Sequence, residues 1–161
     1  MGHKLTVMKK TLFIALLFGM MSAFTTNRES AEDPVTAREL SGYRLRENSF
    51  TLTDYNLWVI TNADAFDKTF TRENDSVKLP AFEDEFVLAA KVQTWSNSYK
   101  VTVKKIVRKG DELNFYFGVQ RGKSNAGDAL VTTYPKDHSL KKVNFYHDNM
   151  LVRTIPIVSV Y

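Results

Sequence analysis

FVLAAKVQTWSNSYKVTVKKIVRKGDELNFYFGVQR, residues 86–121, reads as three consecutive strands joined by two tight turns. Successive side chains on a strand point to opposite faces of its sheet, so a period of two marks a strand with one buried face. In the third strand Leu113, Phe115, Phe117 and Val119 fall on one face, and Asn114, Tyr116, Gly118 and Gln120 on the other. The second strand repeats the pattern. Tyr99, Val101, Val103 and Val107 point inward and Lys100, Thr102, Lys104 and Arg108 outward, with only Lys105 and Ile106 inverted. Lys109-Gly110-Asp111 supplies a glycine for a turn position of positive φ, and Ser96-Asn97-Ser98 has short polar turn chemistry. Residues 86–90 are apolar on both faces, which predicts a central strand.

Toward the N-terminus the meander is preceded by the acidic run Glu83-Asp84-Glu85, by Leu79-Pro80 and by a charged loop over residues 72–78. Residues 62–71 predict one helix. Thr61 and Asp64 fit a capping box, Ala63, Phe66 and Phe70 recur at helical spacing, and Asp64 stands four residues before Lys68. Phe66 and Phe70 are expected to pin this helix to the sheet. Residues 50–60 are β-forming and predict one strand, interrupted at Asp54. Residues 26–47 are polar and fit either a tether or a short helix opened at Asp33-Pro34 and closed at Gly42.

Toward the C-terminus residues 122–128 are the most loop-like stretch of the chain. Gly122-Lys123-Ser124 matches a phosphate loop in three letters only, because the motif's first glycine would stand where Phe117 is and no helical pattern follows. Further strands are expected over 129–134, 140–147 and 150–158. The last two form a hairpin about Asp148-Asn149, and a two-residue turn sets Phe145 opposite Val152, Val143 opposite Thr154 and Asn144 opposite Arg153. Pro156 donates no ladder hydrogen bond, so the final strand belongs at an edge or is bulged. About seven strands and one short helix, without βαβ alternation, predict a mainly β fold, an antiparallel sandwich or a partly open barrel. The β-rich domain is expected over residues 48–161.

Residues 1–10 carry Lys4, Lys9 and Lys10 without an acid, and residues 12–21 are the apolar run LFIALLFGMM. A transmembrane helix needs about 20 apolar residues. The shorter run, followed by Ser22, Ala23 and Thr25, predicts a signal peptide over residues 1–25 and a periplasmic or secreted protein without a transmembrane segment after cleavage. That segment holds three of the chain's 22 basic residues and none of its 18 acidic ones, so the mature net charge falls to about +1. Cysteine is absent, which excludes disulfides, thiolate metal sites and a cysteine nucleophile.

The succession VITNADAFDKTF, charged loop, FVLAAKV, SNSYKVTVKKI, LNFYFGV, loop and Tyr134-Pro135 leading into Leu140 to Val143 resembles the PrcB-like domain family over residues 55–143. The resemblance implies an exported bacterial protein of β-rich fold, an accessory subunit of a surface protease complex without catalysis of its own. The chain departs from the family pattern at Asn97-Ser98-Tyr99, where a Gly-Gly-Tyr turn is expected, and in having no lipidation cysteine.

His138 and His147 each adjoin an aspartate, Asp137 and Asp148, at turns where Asp side chains usually bond the local backbone rather than a metal. No Gly-x-Ser-x-Gly elbow exists for a serine hydrolase, and nothing places a carboxylate opposite Glu83 to Glu85 for glycoside chemistry. These readings point to a non-enzymatic protein-interaction domain without cofactor or metal, with a protein partner in the cell envelope and no nucleic acid. Its binding surface is expected at the loop end carrying Trp95, Asn97, Tyr99, Lys123 and Asn125, since two chain reversals bring the turn after the first meander strand and the loop after the third to one end. The alternative is an envelope-ligand binder, for an anionic glycan or lipid headgroup, using a basic face of Lys100, Lys104, Arg108 and Tyr116. N-terminal sequencing of protein from the native host should find a start near Thr26; Met1 or Met8 retained in a membrane fraction would overturn the export reading.

Overall fold

The computed structural model describes residues 33–35, 37–51, 54–94, 97–120, 124–125 and 127–158. The expected signal peptide lies outside the described residues, as do Trp95 and Lys123. No helix among the described residues is long and apolar enough to cross a membrane.

The chain is mainly β. In order it forms β1 (Asp33–Pro34), β2 (Arg38–Glu39), β3 (Tyr43–Leu45), β4 (Tyr55–Ile60), helix α1 (Ala63–Thr69), β5 (Phe70–Arg72), β6 (Glu85–Thr94), β7 (Asn97–Lys109), β8 (Glu112–Gln120), β9 (Leu130–Pro135), β10 (Lys142–His147) and β11 (Met150–Pro156). Seven of these strands have six residues or more, and they correspond to the strands expected over residues 50–60, in the three-stranded meander and over 129–134, 140–147 and 150–158. The main sheet runs β11-β10-β8-β7-β6-β9-β2, with β4 also on β6 and β1 also on β7, and it stays open rather than closing into a barrel. The path folds over at the β6–β7 hairpin. Leu57, Phe86, Leu88 and Leu130 from one layer then meet Val101, Ile106, Phe115, Phe117 and Phe145 from the other in a common core.

The second face of the β4-β6-β9 layer is covered as well. Tyr43, Leu45, Ile60, Phe66, Phe70, Val87, Ala89 and Val131 form a separate core between that layer and the α1, β3 and β5 elements. Strand β6 is thereby buried from Phe86 to Gln93 without interruption, which is why both of its faces are apolar over residues 86–90. Helix α1 is capped by Asn62, whose side chain accepts from the Ala65 N–H at 2.8 Å, and not by Thr61. Phe66 and Phe70 are each 1% exposed and stack at 5.0 Å between ring centroids.

Three further expectations are corrected. Residues 33–45 form neither tether nor helix: β1 pairs with β7, β2 with β9 and β3 with β5, so the β-rich unit begins well before residue 48. In β7 a bulge between Val103 and Lys105 shifts the register, which restores Ile106 to the core and turns Lys105 outward. In the β10–β11 hairpin a second irregularity sets Phe145 opposite Arg153, Asn144 opposite Thr154 and Val143 opposite Ile155, one residue away from the simple two-residue register. Strand β10 lies parallel to β8, in a register that superposes two copies of one sequence: Asn114, Phe115 and Tyr116 stand beside Asn144, Phe145 and Tyr146. The Asn144 amide donates to Asn114 Oδ1 at 3.0 Å, and the two tyrosines stack at 4.6 Å. Truncating the buried ring in Phe66→Ala should lower the unfolding free energy by about 3–5 kcal/mol in a denaturant titration; an unchanged midpoint would contradict the packing of α1.

Candidate functional site

The site follows from how β6 is shared. On one edge β4 runs beside it from Val87 to Val92. On the other edge β9 accompanies it from Glu85 to Ala90, and β7 from Val92 to Thr94. Strand β7 therefore leaves β6 at the point where β9 replaces it, and the two strands form a fork. A cavity of about 320 Å³ fills the fork, lined by Tyr99, Lys100 and Val101 on the departing strand, Ala129 and Leu130 on the arriving one, and Glu39, Ser124 and Asp128 around them. Between Lys100 and Lys105 the fork-side edge of β7 has no strand partner among the described residues.

The loop forming one wall is anchored. The Asp128 carboxylate accepts from the Asn125 N–H at 2.9 Å and from the Ser124 hydroxyl at 3.4 Å, while the Leu45 N–H donates to the Gly127 carbonyl at 2.9 Å. Beneath it lies Lys91, which sequence reading passed over. Its ammonium is fully buried, donates to the Asp128 carbonyl at 3.1 Å and stands 5.1 Å from the Phe50 ring centre. Burial lowers its pKa, opposed by the charge of Asp128. Two residues on along the same face, the buried Gln93 Oε1 has no hydrogen-bond partner among the described residues. A lysine inside an otherwise apolar strand is the signal that could have drawn attention to this region.

Of the residues expected at the loop end, Tyr99 is half-buried against the main core and lines the fork, while Asn97, two residues before it, and Asn125, in the loop after β8, are exposed. Trp95 and Lys123 lie outside the described residues. The expected basic face is divided by the bulge in β7. Lys100 stands opposite Gln120 on the outer face, whereas Arg108 stands opposite Leu113 on the inner one. There Arg108 pairs with Asp137 and donates to the Ser139 hydroxyl at 2.7 Å. Lys104 lies across Gly118 to pair with Asp148 in the β10–β11 turn. The cation over the Tyr116 ring is Lys105, at 4.5 Å.

Both histidine-aspartate pairs are built into turns. Asp137 Oδ1 accepts from the Ser139 N–H and hydroxyl at 2.8 and 2.7 Å; these bonds and Arg108 hold its carboxyl below the usual range. His147 Nδ1 lies 2.8 Å from the Tyr55 hydroxyl, with its ring stacked on Phe117. Among the described residues no three His, Asp or Glu side chains gather as a metal site would require.

No protein-family model, curated protein or solved structure matches the chain.

The Lys91 shift gives a pH prediction. A lysine whose folded pKa is depressed penalises the folded state while it is protonated, and the penalty disappears as pH rises through the folded value toward the ordinary 10.5. Wild-type protein should therefore gain stability relative to Lys91→Met as pH is raised over that interval. At neutral pH the methionine variant should be as stable as wild type or more so, since an apolar replacement removes the desolvation cost of the buried ammonium. Denaturant titrations at neutral and alkaline pH check both signs.

Proposed function

We propose that this is a non-enzymatic binding domain of the bacterial cell envelope, which holds a protein partner at the fork between β7 and β9. The observation that carries the reading is the convergence of the β6–β7 hairpin and the loop after β8 on one concave polar site. Tyr99 offers an aromatic surface there, Lys100 and Glu39 offer charges of both signs, and Ser124 and Asp128, joined by hydrogen bonds, provide part of the wall. The open edge of β7 adds main-chain donors and acceptors of the kind an extended segment pairs with, and β1 occupies the far end of that same edge in antiparallel register. An accessory role in a surface protease complex is the specific form of this reading; its support is the order of strand, helix, charged loop and meander over residues 55–143, the basis of the PrcB-like resemblance.

A photo-cross-linking amino acid at position 100 should capture one envelope protein in the native host, and the same group at position 109, at the opposite end of β7, should not. Tyr99→Ala should weaken that partner's binding by about tenfold, the scale of losing one aromatic anchor. Equal capture from both positions, or none from position 100, would overturn the assignment.

A further inference from the structure

We infer a second site, independent of the fork, at the seam between β4 and β11, and assign it to a saccharide bearing a carboxylate. Among the described residues strand β4 pairs only with β6, and β11 ends the sheet path, so each leaves one edge without a strand partner there. Thr61 Oγ1 reaches the Val158 carbonyl at 3.4 Å and draws the two edges together at one end. Farther along, a cavity of about 260 Å³ is walled by Phe50, Tyr55 and Trp58, with Asn48 and Thr51 on its rim and Arg153 entering from β11. The walls are fixed from behind. Trp58 packs against Phe70 with ring centroids 6.2 Å apart, and Asn56 holds Thr51 through both backbone groups, accepting from its N–H at 2.8 Å and donating to its carbonyl at 2.9 Å.

Two observations single out Arg153. Arg38, Arg44, Arg46, Arg72 and Arg108 each donate to a carboxylate or a carbonyl. Arg153 has no such partner among the described residues, although it stands on a cavity wall. It also stands there only because of the irregularity in the hairpin. A regular two-residue hairpin would set Arg153 opposite Asn144, on the outer face; the register shift between Phe145 and Tyr146 sets it opposite Phe145, on the face that leads into the seam. Bulges of this kind re-aim side chains and recur beside binding sites.

The chemistry of the walls selects the ligand. A guanidinium presents paired donors that match a carboxylate, the indole and phenyl rings suit the apolar face of a sugar ring, and the amide and hydroxyl rim suits its hydroxyls. A bound sugar therefore turns its carboxylate toward Arg153 and its hydroxyls toward Asn48 and Thr51. At about 260 Å³ the cavity lies just below the lower end of ligand-site volumes, about 300 Å³, which favours a small ligand.

The test is a titration of full-length mature protein with a glucuronic-acid-containing oligosaccharide, its neutral glucose counterpart and inorganic phosphate, followed by NMR. Saturable shifts should appear at the Trp58 indole N–H and the Arg153 side chain with the acidic sugar. Affinity should fall by at least about tenfold for the neutral sugar and for Arg153→Gln, the effect of removing one charge-assisted hydrogen bond. Arg153→Lys should fall between wild type and Arg153→Gln. Shifts that are absent or lie elsewhere would overturn the site, and so would an acidic sugar that binds no better than the neutral one, a comparison that needs no variant. Phosphate binding as tightly as the sugar would overturn the saccharide assignment. None of these outcomes bears on cross-linking from position 100.

Discussion

Everything in this fold depends on β6 being buried on both faces at once. An ordinary sandwich strand has a core on one side and water on the other, so alternate positions can be polar. Here Leu88 and Ala90 close the core toward β8 and β10, while Val87 and Ala89 close the core toward α1. Each added layer removes apolar surface from water, worth roughly 25 cal/mol per Å². The same double burial encloses Lys91, whose ammonium must then find a carbonyl and an aromatic face inside the protein. The anchored 124–129 loop supplies the carbonyl, so the demand of one buried lysine and the order of one fork wall are the same interaction.

The parallel pairing of β8 with β10 has its own physical basis. Parallel ladders are slightly weaker per residue than antiparallel ones, and they need a crossover connection. The crossover here is β9, which leaves for the opposite layer before the chain returns beside β8. Register is then fixed by like meeting like. Asn114 bonds Asn144, Tyr116 stacks on Tyr146, Phe115 packs on Phe145, and Phe117 meets the flat face of His147 at 5.5 Å. A slip of one residue would set each aromatic core residue against a polar neighbour. The repeated Asn-Phe-Tyr was present in the sequence, yet a hairpin reading of residues 140–158 gave no reason to compare it with residues 114–116.

What sequence could convey was decided by whether a signal is periodic. The meander, the helix and the edge position of the last strand follow from period two, period 3.6 and a proline, and each is local. The strap formed by β1 and β2 has two residues per strand, too few for any period, and its pairing depends on partners about 70 to 95 residues away. Bulges are legible only by the disorder they introduce. The inverted Lys105 and Ile106 were the trace of the bulge in β7, whereas the shift at Phe145 left no trace because the pairing stays chemically plausible in either register. The fork could be anticipated from two chain reversals; the seam could not, since it joins two edges that no turn connects.

The two cavities share a cause. A sheet that bends into layers cannot keep every edge paired: one strand must give way to another along β6, and the outermost strands β4 and β11 approach without a continuous ladder between them. At such places backbone groups and side chains lack the regular partners that close the rest of the sheet, while the neighbouring strands remain rigid. That combination of unsatisfied polar groups on a fixed frame is what a ligand requires. The bulges complete it by deciding where cations point. In β7 the bulge separates Lys100 from Arg108 and commits Arg108 to Asp137, which leaves Lys100 as the cation of the fork. In β11 the shift carries Arg153 away from the outer face into the seam. One irregularity thus sorts the charges of the first opening and the other equips the second, so the departures from ideal pairing account for both the positions and the chemistry of the sites.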